Sequence, residues 1–127
     1  MKFRKEFELP EVTNNWAWKY HHIGIPTKEI KPNERYIEHL KFYVSGFPES
    51  PFGIEWMRFE TDSPIHQLVQ QVPHIAFEVD NLDLELSKRT FKILTKPNLP
   101  SAGVRVAMIE HNGAPVELME FIDKKKV

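Results

Sequence analysis

Apolar residues alternate with polar ones in several short runs, and two pairs of these runs resemble each other. The first pair is His22-Ile23-Gly24-Ile25 and Ile54-Glu55-Trp56-Met57-Arg58-Phe59. The second pair is His74-Ile75-Ala76-Phe77 and Val116-Glu117-Leu118-Met119-Glu120-Phe121. Both copies open with a histidine and close with a glutamate inside an apolar, strand-like run, so the pattern predicts an internal repeat.

The second copy predicts the order strand, helix, strand, strand, strand. We expect strands over residues 73–79, 93–95, 104–110 and from 115 or 116 to 122. Asp80 or Asn81 is expected to cap a helix that packs through leucines 82, 84 and 86. The pair Asn112-Gly113 is typical of a tight hairpin turn.

The first copy is predicted to be shorter. Its histidine and glutamate are 33 positions apart, against 43 in the second copy. Strands are expected over residues 21–25, 42–44 and 54–60, and Tyr36, Ile37 and Leu40 are spaced for about two helical turns. In the connector, Asp62 or Ser63 is a candidate N-cap for a short helix that runs through Val69.

We interpret the chain as one domain, 1–127, with an N-terminal arm (1–19), a first module (20–60), a connector (61–72) and a second module (73–123). A length of 127 residues suits a single domain. Trp16 and Trp18 belong to the arm, which we expect to form an edge strand or to pack on the body. The alternative is that these tryptophans line a pocket or form a dimer contact.

Composition narrows the choice of partners and compartment. The net charge of −1 gives no reason to expect nucleic acid or an anionic membrane as a partner. No apolar stretch approaches the roughly 20 residues of a membrane span. The chain has no cysteine, which excludes disulfides and thiolate metal sites and fits a reducing compartment. We therefore expect a cytoplasmic protein.

The duplicated residues predict a metal site. On the last strand Glu117 shares a face with Met119 and Phe121, and Glu55 has the same relation to its own apolar neighbours. A carboxylate in an apolar hollow requires a compensating cation. A divalent transition metal held with His22 and His74 would provide it, and Zn, Ni, Co, Mn and Fe all tolerate such a nitrogen and oxygen ligand set. The competing explanation is an ion pair with Arg105.

The four remaining histidines are predicted to lie at the surface. His21 alternates to the face opposite His22, His39 and His66 fall in helix or loop, and His111 falls in a turn.

At these residues the chain resembles the vicinal oxygen chelate superfamily, which includes glyoxalase I, methylmalonyl-CoA epimerase, extradiol dioxygenases and the fosfomycin and bleomycin resistance proteins. The similarity is greatest to the epimerase and glyoxalase I branch, over residues 74–81 and 115–121. It implies an α+β fold in which two βαβββ modules, here with the first one truncated, form a curved mixed sheet around a pocket. By motif, His22, His74 and Glu117 match metal ligands, and Glu55 falls on the fourth ligand position.

The resemblance implies a metal-dependent lyase or isomerase that moves a proton alpha to a carbonyl group of a small-molecule substrate. Glu117 or Glu55 would act as the base, and Arg105 would either anchor a substrate anion or lie on the surface. A homodimer is also expected, because some superfamily members build each site from two subunits. The second glutamate argues against a dioxygenase.

Two alternatives remain open. In one, the protein is a non-catalytic small-molecule binding or resistance protein of the same fold, with an aromatic pocket formed by Trp16, Trp18, Phe52, Trp56 and Phe59. In the other, the metal is purely structural, with no exchangeable position left on the ion.

Overall fold

The computed structural model describes residue 3 and residues 5–122. Residues 1, 2 and 4 of the predicted arm and residue 123 of the predicted second module lie outside the described residues. No helix in the described part is long and apolar enough to cross a membrane.

The described residues form one eight-stranded sheet with three short helices. The strands are β1 (Lys19–Pro26), β2 (Arg35–Ile37), β3 (Phe42–Ser45), β4 (Ile54–Phe59), β5 (His74–Glu78), β6 (Lys92–Ser101), β7 (Val104–His111) and β8 (Ala114–Phe121). The helices are α1 (Glu11–Asn14), α2 (Gln67–Gln71) and α3 (Leu82–Lys88), and short 3₁₀ turns cover Glu38–Leu40 and Phe47–Glu49. The order across the sheet is β2-β3-β4-β1-β5-β8-β7-β6.

The sheet consists of two similar halves. In each half the first and last strands are parallel neighbours, β1 with β4 and β5 with β8, and the two halves meet where β1 runs antiparallel to β5. Glu55 pairs with Gly24 and Glu117 pairs with Ala76, in each case the second residue after the histidine of that half. The predicted α+β fold is therefore confirmed, with a curved mixed sheet and a first module that lacks a counterpart of α3 (Leu82–Lys88).

Three predicted elements differ from the structure. The helix predicted around Tyr36 is wrong, because residues 35–37 pair with β3 and only a single 3₁₀ turn follows. Helix α2 begins at Gln67 and is capped by His66, since Ser63 instead donates its hydroxyl hydrogen to Leu40 O. Strand β6 continues to Ser101, well beyond the predicted residue 95. As an edge strand it tolerates prolines that a central strand would not.

Helix α3 and the arm cover the outer face of the second half. The side chain of Asn81 accepts a hydrogen bond from Leu84 N, which confirms one of the two predicted caps. Trp18 is only 6% exposed, and its Nε1 donates to Glu85 Oε1 at 2.8 Å. Trp16 lies beside it, with ring centroids 5.0 Å apart and ring planes tilted by 59°. The tryptophans of the arm therefore pack on the body, away from the cavity described below, whereas Phe3 and Phe7 are exposed. Buried residues of this layer are Trp18, Val79, Leu82, Ala107, Ile109 and Leu118.

Candidate metal centre

The four predicted ligands lie on the four central strands of the sheet. Glu55 is on β4, His22 on β1, His74 on β5 and Glu117 on β8, and these strands are adjacent in that order. Side chains alternate between faces along a strand, so the register places all four on the concave face. Two residues far apart in each half are thus brought to one place by the pairing of the first strand with the last.

The distances define a compact group of three ligands with a fourth beside it. Ligand atoms of His22, His74 and Glu117 all lie within 4.8 Å of one another. Glu117 Oε1 is 2.9 Å from His74 Nε2 and 3.3 Å from His22 Nε2. Glu55 Oε2 is 3.5 Å from His22 Nε2. The first three residues could hold a metal ion as they stand, and Glu55 is within reach of the same imidazole.

Small residues opposite the histidines make room for the imidazole rings. Gly24 faces His74 across the β1–β5 pair, and Ala76 faces His22. A Cβ atom on Gly24 would lie 2.2 Å from Cε1 of His74 and 2.7 Å from both ring nitrogens. Only glycine therefore fits at position 24 while His74 keeps this position.

Burial and mutual contact set the charges of the group. His22 and His74 are 4% and 2% exposed, and the Glu117 side chain is 12% exposed. Burial alone would raise the pKa of Glu117, but the contacting imidazoles of His22 and His74 outweigh it and hold that pKa at about 2. Burial would lower the pKa of His22, but the Glu117 carboxylate raises it overall.

Glu55 differs electrostatically from Glu117. Its side chain is 23% exposed, against 12% for Glu117, and it contacts one imidazole rather than two. Burial raises the pKa of Glu55, and the opposing effect of His22 is too small to reverse the rise. Of the two carboxylates, Glu55 is the one that binds a proton more readily.

The donor set fits a divalent cation. His22 Nε2 and His74 Nδ1 are buried without a hydrogen-bond partner among the described residues. The His22 nitrogen faces two carboxylates at 3.3 and 3.5 Å, although neither contact has hydrogen-bond geometry. Two neutral imidazoles and two carboxylates carry a charge of −2, which a divalent ion balances. Buried groups that lack partners in this way are typical of a ligand-binding site.

His21 lies in the cavity wall, so its predicted surface position is wrong. A bulge in β1 between Tyr20 and His22 inserts one extra residue opposite β5 and turns His21 toward the concave face. Its ring stacks on Phe47, with centroids 4.9 Å apart and planes 13° apart. His21 Nδ1 is 2.8 Å from His22 Nδ1, so one of the two nitrogens donates to the other. Strand alternation alone gives no signal for this bulge.

The other charged and aromatic candidates lie away from the centre. Arg105 donates to Asp83 at 3.0 and 3.2 Å, so the proposed ion pair between Arg105 and the two cavity glutamates is wrong. Exposed positions are confirmed for His39, His66 and His111.

A cavity of about 330 Å³ opens above the four ligands. None of the five aromatic residues expected for the binding-protein alternative lines it. Arg35 does line the cavity. Its position was missed because Tyr36, Ile37 and Leu40 were predicted to be helical, whereas residues 35–37 form a strand. The apolar part of the wall comprises Ile37, Leu40, Phe42, Val44, Phe47, Met57, Ile65 and Val69 on one side and Pro100, Val104, Val106, Met108, Met119 and Phe121 on the other.

The comparisons with known proteins identify the fold. No protein-family model and no curated protein matches the chain. A hypothetical protein from Bacillus halodurans C-125 superposes with a TM-score of 0.63 at 19% identity, over 82% of this chain and 94% of that one. Methylmalonyl-CoA epimerase from Mycobacterium tuberculosis superposes with a TM-score of 0.58 at 19% identity, over 80% of this chain and 87% of that one. The chain therefore shares the fold of these two proteins.

Proposed function

We propose that this protein is a metal-dependent lyase or isomerase that moves a proton alpha to a carbonyl group of a small-molecule substrate. The observation that carries the proposal is the convergence of three buried donors, His22, His74 and Glu117, within 4.8 Å at the floor of an apolar cavity. Glu55 is proposed as the fourth ligand. The epimerase among the similar structures supports the same reaction class.

A divalent ion bound by these residues would act as a Lewis acid on a substrate oxygen. The chain itself supplies the ligands, the base and largely apolar surroundings. Apolar surroundings strengthen the electrostatic interactions of the buried ligands. Zn, Ni, Co, Mn and Fe all suit this set of nitrogen and oxygen donors.

Glu55 is better suited than Glu117 to accept the substrate proton. Its carboxylate has one imidazole contact instead of two and is more exposed, so it can move with less loss of interaction. Its raised pKa also favours proton uptake, whereas the pKa of Glu117 is lowered to about 2. We therefore assign metal binding to Glu117 and proton transfer to Glu55.

Metal content and proton exchange test the two assignments separately. Metal in protein purified without chelator is measured by mass spectrometry, and exchange at the carbon alpha to the carbonyl is followed by NMR in D₂O with a panel of 2-substituted thioesters and 2-hydroxy ketones. We expect about one ion per chain in the wild type. Glu117→Gln should lose the ion with an unchanged circular dichroism spectrum, and Glu55→Gln should slow exchange by about 10²- to 10⁴-fold.

Two results would contradict the proposal. Wild-type protein purified without stoichiometric metal would refute the proposed metal centre. An unchanged exchange rate in Glu55→Gln would refute the assignment of Glu55 as the base. Ligand binding without any exchange across the panel would favour the non-catalytic alternative. A homodimer stays a prediction, to be checked by analytical ultracentrifugation.

A further inference from the structure

Arg35 provides the only lysine or arginine side chain in the cavity wall among the residues that the structure describes. It lies at the start of β2 and pairs with Val44 of β3. Ile37, two residues further along the strand, is 8% exposed and lines the same cavity. The alternation along β2 thus places Arg35 on the concave face, above the apolar wall of the first half.

The guanidinium of Arg35 forms no ion pair with a carboxylate among the described residues, unlike the other described arginines. Its charge acts on Glu55 only at longer range, where it opposes the rise in the pKa of that carboxyl. Hydrogen-bonded ion pairs of 2.8 to 3.1 Å join Arg58 to Glu34, Arg89 to Glu85 and Arg105 to Asp83. Since arginine stays charged at every relevant pH, the cavity keeps a positive charge with several free N–H donors.

The charge balance of the cavity makes this cation available to a ligand. With a divalent ion the four proposed metal ligands are neutral overall, a step that rests on the proposed function. Arg35 then leaves the cavity with a net positive charge. The wall contributed by β6 is also polar, because Thr95, Asn98 and Ser101 line the cavity there. An anion is the ligand group that these surroundings favour.

We propose that Arg35 binds the anionic group of an amphipathic small molecule, a carboxylate, phosphate or sulfonate, whose apolar part fills the cavity. The planar guanidinium can donate two parallel hydrogen bonds to such a group. The substrate of the proposed reaction would then be an organic acid or phosphate ester with an apolar body. Its anionic end would lie at Arg35 and its reacting carbonyl near the four ligands.

Two dyes that differ by one sulfonate test this site. 1-Anilinonaphthalene-8-sulfonate and N-phenyl-1-naphthylamine share their ring system, and both are titrated by fluorescence. We expect Arg35→Gln to lower the affinity for the sulfonate dye by about tenfold or more, which corresponds to the loss of a hydrogen bond to a charged group. The affinity for the neutral dye should change less than twofold. The matched control Arg105→Gln removes a paired arginine outside the cavity and should change neither affinity. Val106→Trp fills the cavity and should weaken both dyes.

Three outcomes would overturn the proposal. These are an unchanged sulfonate affinity in Arg35→Gln, an equal loss for both dyes in that variant, or full sulfonate binding in Val106→Trp. Repeating the titrations after chelator treatment separates this inference from the proposed function. If metal-free protein prefers the sulfonate dye and loses this preference in Arg35→Gln, the anion site is supported even if no metal centre exists. If metal-loaded protein shows no such preference, the anion site is refuted while the proposed function stands.

Discussion

Replacing Gly24 with alanine should displace the His74 ring and destabilise the fold. The added methyl carbon would lie 2.2 Å from Cε1 of His74, whereas ordinary contacts of this kind begin at 3.4 Å. His74 is 2% exposed and lines the cavity, so its ring can move only toward the cavity and away from its contact with Glu117. Either the ring or the β1–β5 pairing has to shift by more than an ångström.

The expected cost follows from three effects. Overpacking a buried site costs about 1–3 kcal/mol. Displacement of the ring also breaks the 2.9 Å contact with the Glu117 carboxylate, and a hydrogen bond to a charged group contributes about 1.5–3 kcal/mol. Alanine lowers the conformational entropy of the unfolded chain relative to glycine, which stabilises the folded state by about 0.4–1 kcal/mol. The free energy of unfolding of the metal-free protein should fall by about 2–5 kcal/mol.

A double-mutant cycle with His74→Ala assigns this cost to its cause. Urea unfolding is measured for the wild type, both single variants and the double variant. Once the imidazole is absent, Gly24→Ala should cost less than about 0.5 kcal/mol, within the additivity error of such cycles. Ala76→Gly, at the equivalent position facing His22, removes a methyl group and should cost only about 0.5–1 kcal/mol. An equal penalty for Gly24→Ala in both backgrounds would show that the clash with His74 is not its origin.

Two further predictions concern metal affinity and acid stability. His21→Phe keeps a ring to stack on Phe47 but removes the nitrogen that lies 2.8 Å from His22 Nδ1. Metal affinity, measured by chelator competition, should fall by about 10- to 100-fold, and an unchanged affinity would exclude an orienting role for His21. The pKa of Glu117 is about 2 in the folded protein, against an ordinary value of 4.5. A lowered folded pKa stabilises the protein above the ordinary value, and this stabilisation is lost as pH falls from about 4.5 toward 2. The Tm of metal-free protein should therefore decline over that range more steeply in the wild type than in Glu117→Gln, and parallel curves would contradict the assignment.

The sequence predicted the central part of the molecule because two simple rules apply there. Side chains of a strand alternate between faces, and the two halves repeat the same histidine and glutamate positions. Alternation placed Glu55 and Glu117 on equivalent faces beside apolar side chains, and the repeat predicted that both glutamates and both histidines share one metal site. The pairing of each first strand with its own last strand then closed the distance between them.

The features that the sequence did not predict depend on pairing between distant strands. The bulge at His21 exists only because β1 pairs with β5 in a shifted register. Tyr36, Ile37 and Leu40 were predicted to be helical from their spacing, yet pairing with β3 makes residues 35–37 a strand and brings Arg35 to the cavity wall. Local spacing cannot reveal either effect, since both arise from contacts with other strands. The two residues that modify the candidate site were therefore the two that local reasoning misplaced.

The shortening of the first module leaves the candidate site intact for a topological reason. The four central strands, β4, β1, β5 and β8, carry all four ligand candidates, and each is paired on both sides within the sheet. A crossover helix such as α3 packs on the outer face, where its Leu82 is buried in one cluster with Val79 and Leu118. Loss of the equivalent helix from the first half removes cover from the convex side alone. The register that joins Gly24 to Glu55 does not depend on that helix, so the concave face retains its ligands while the module is reduced.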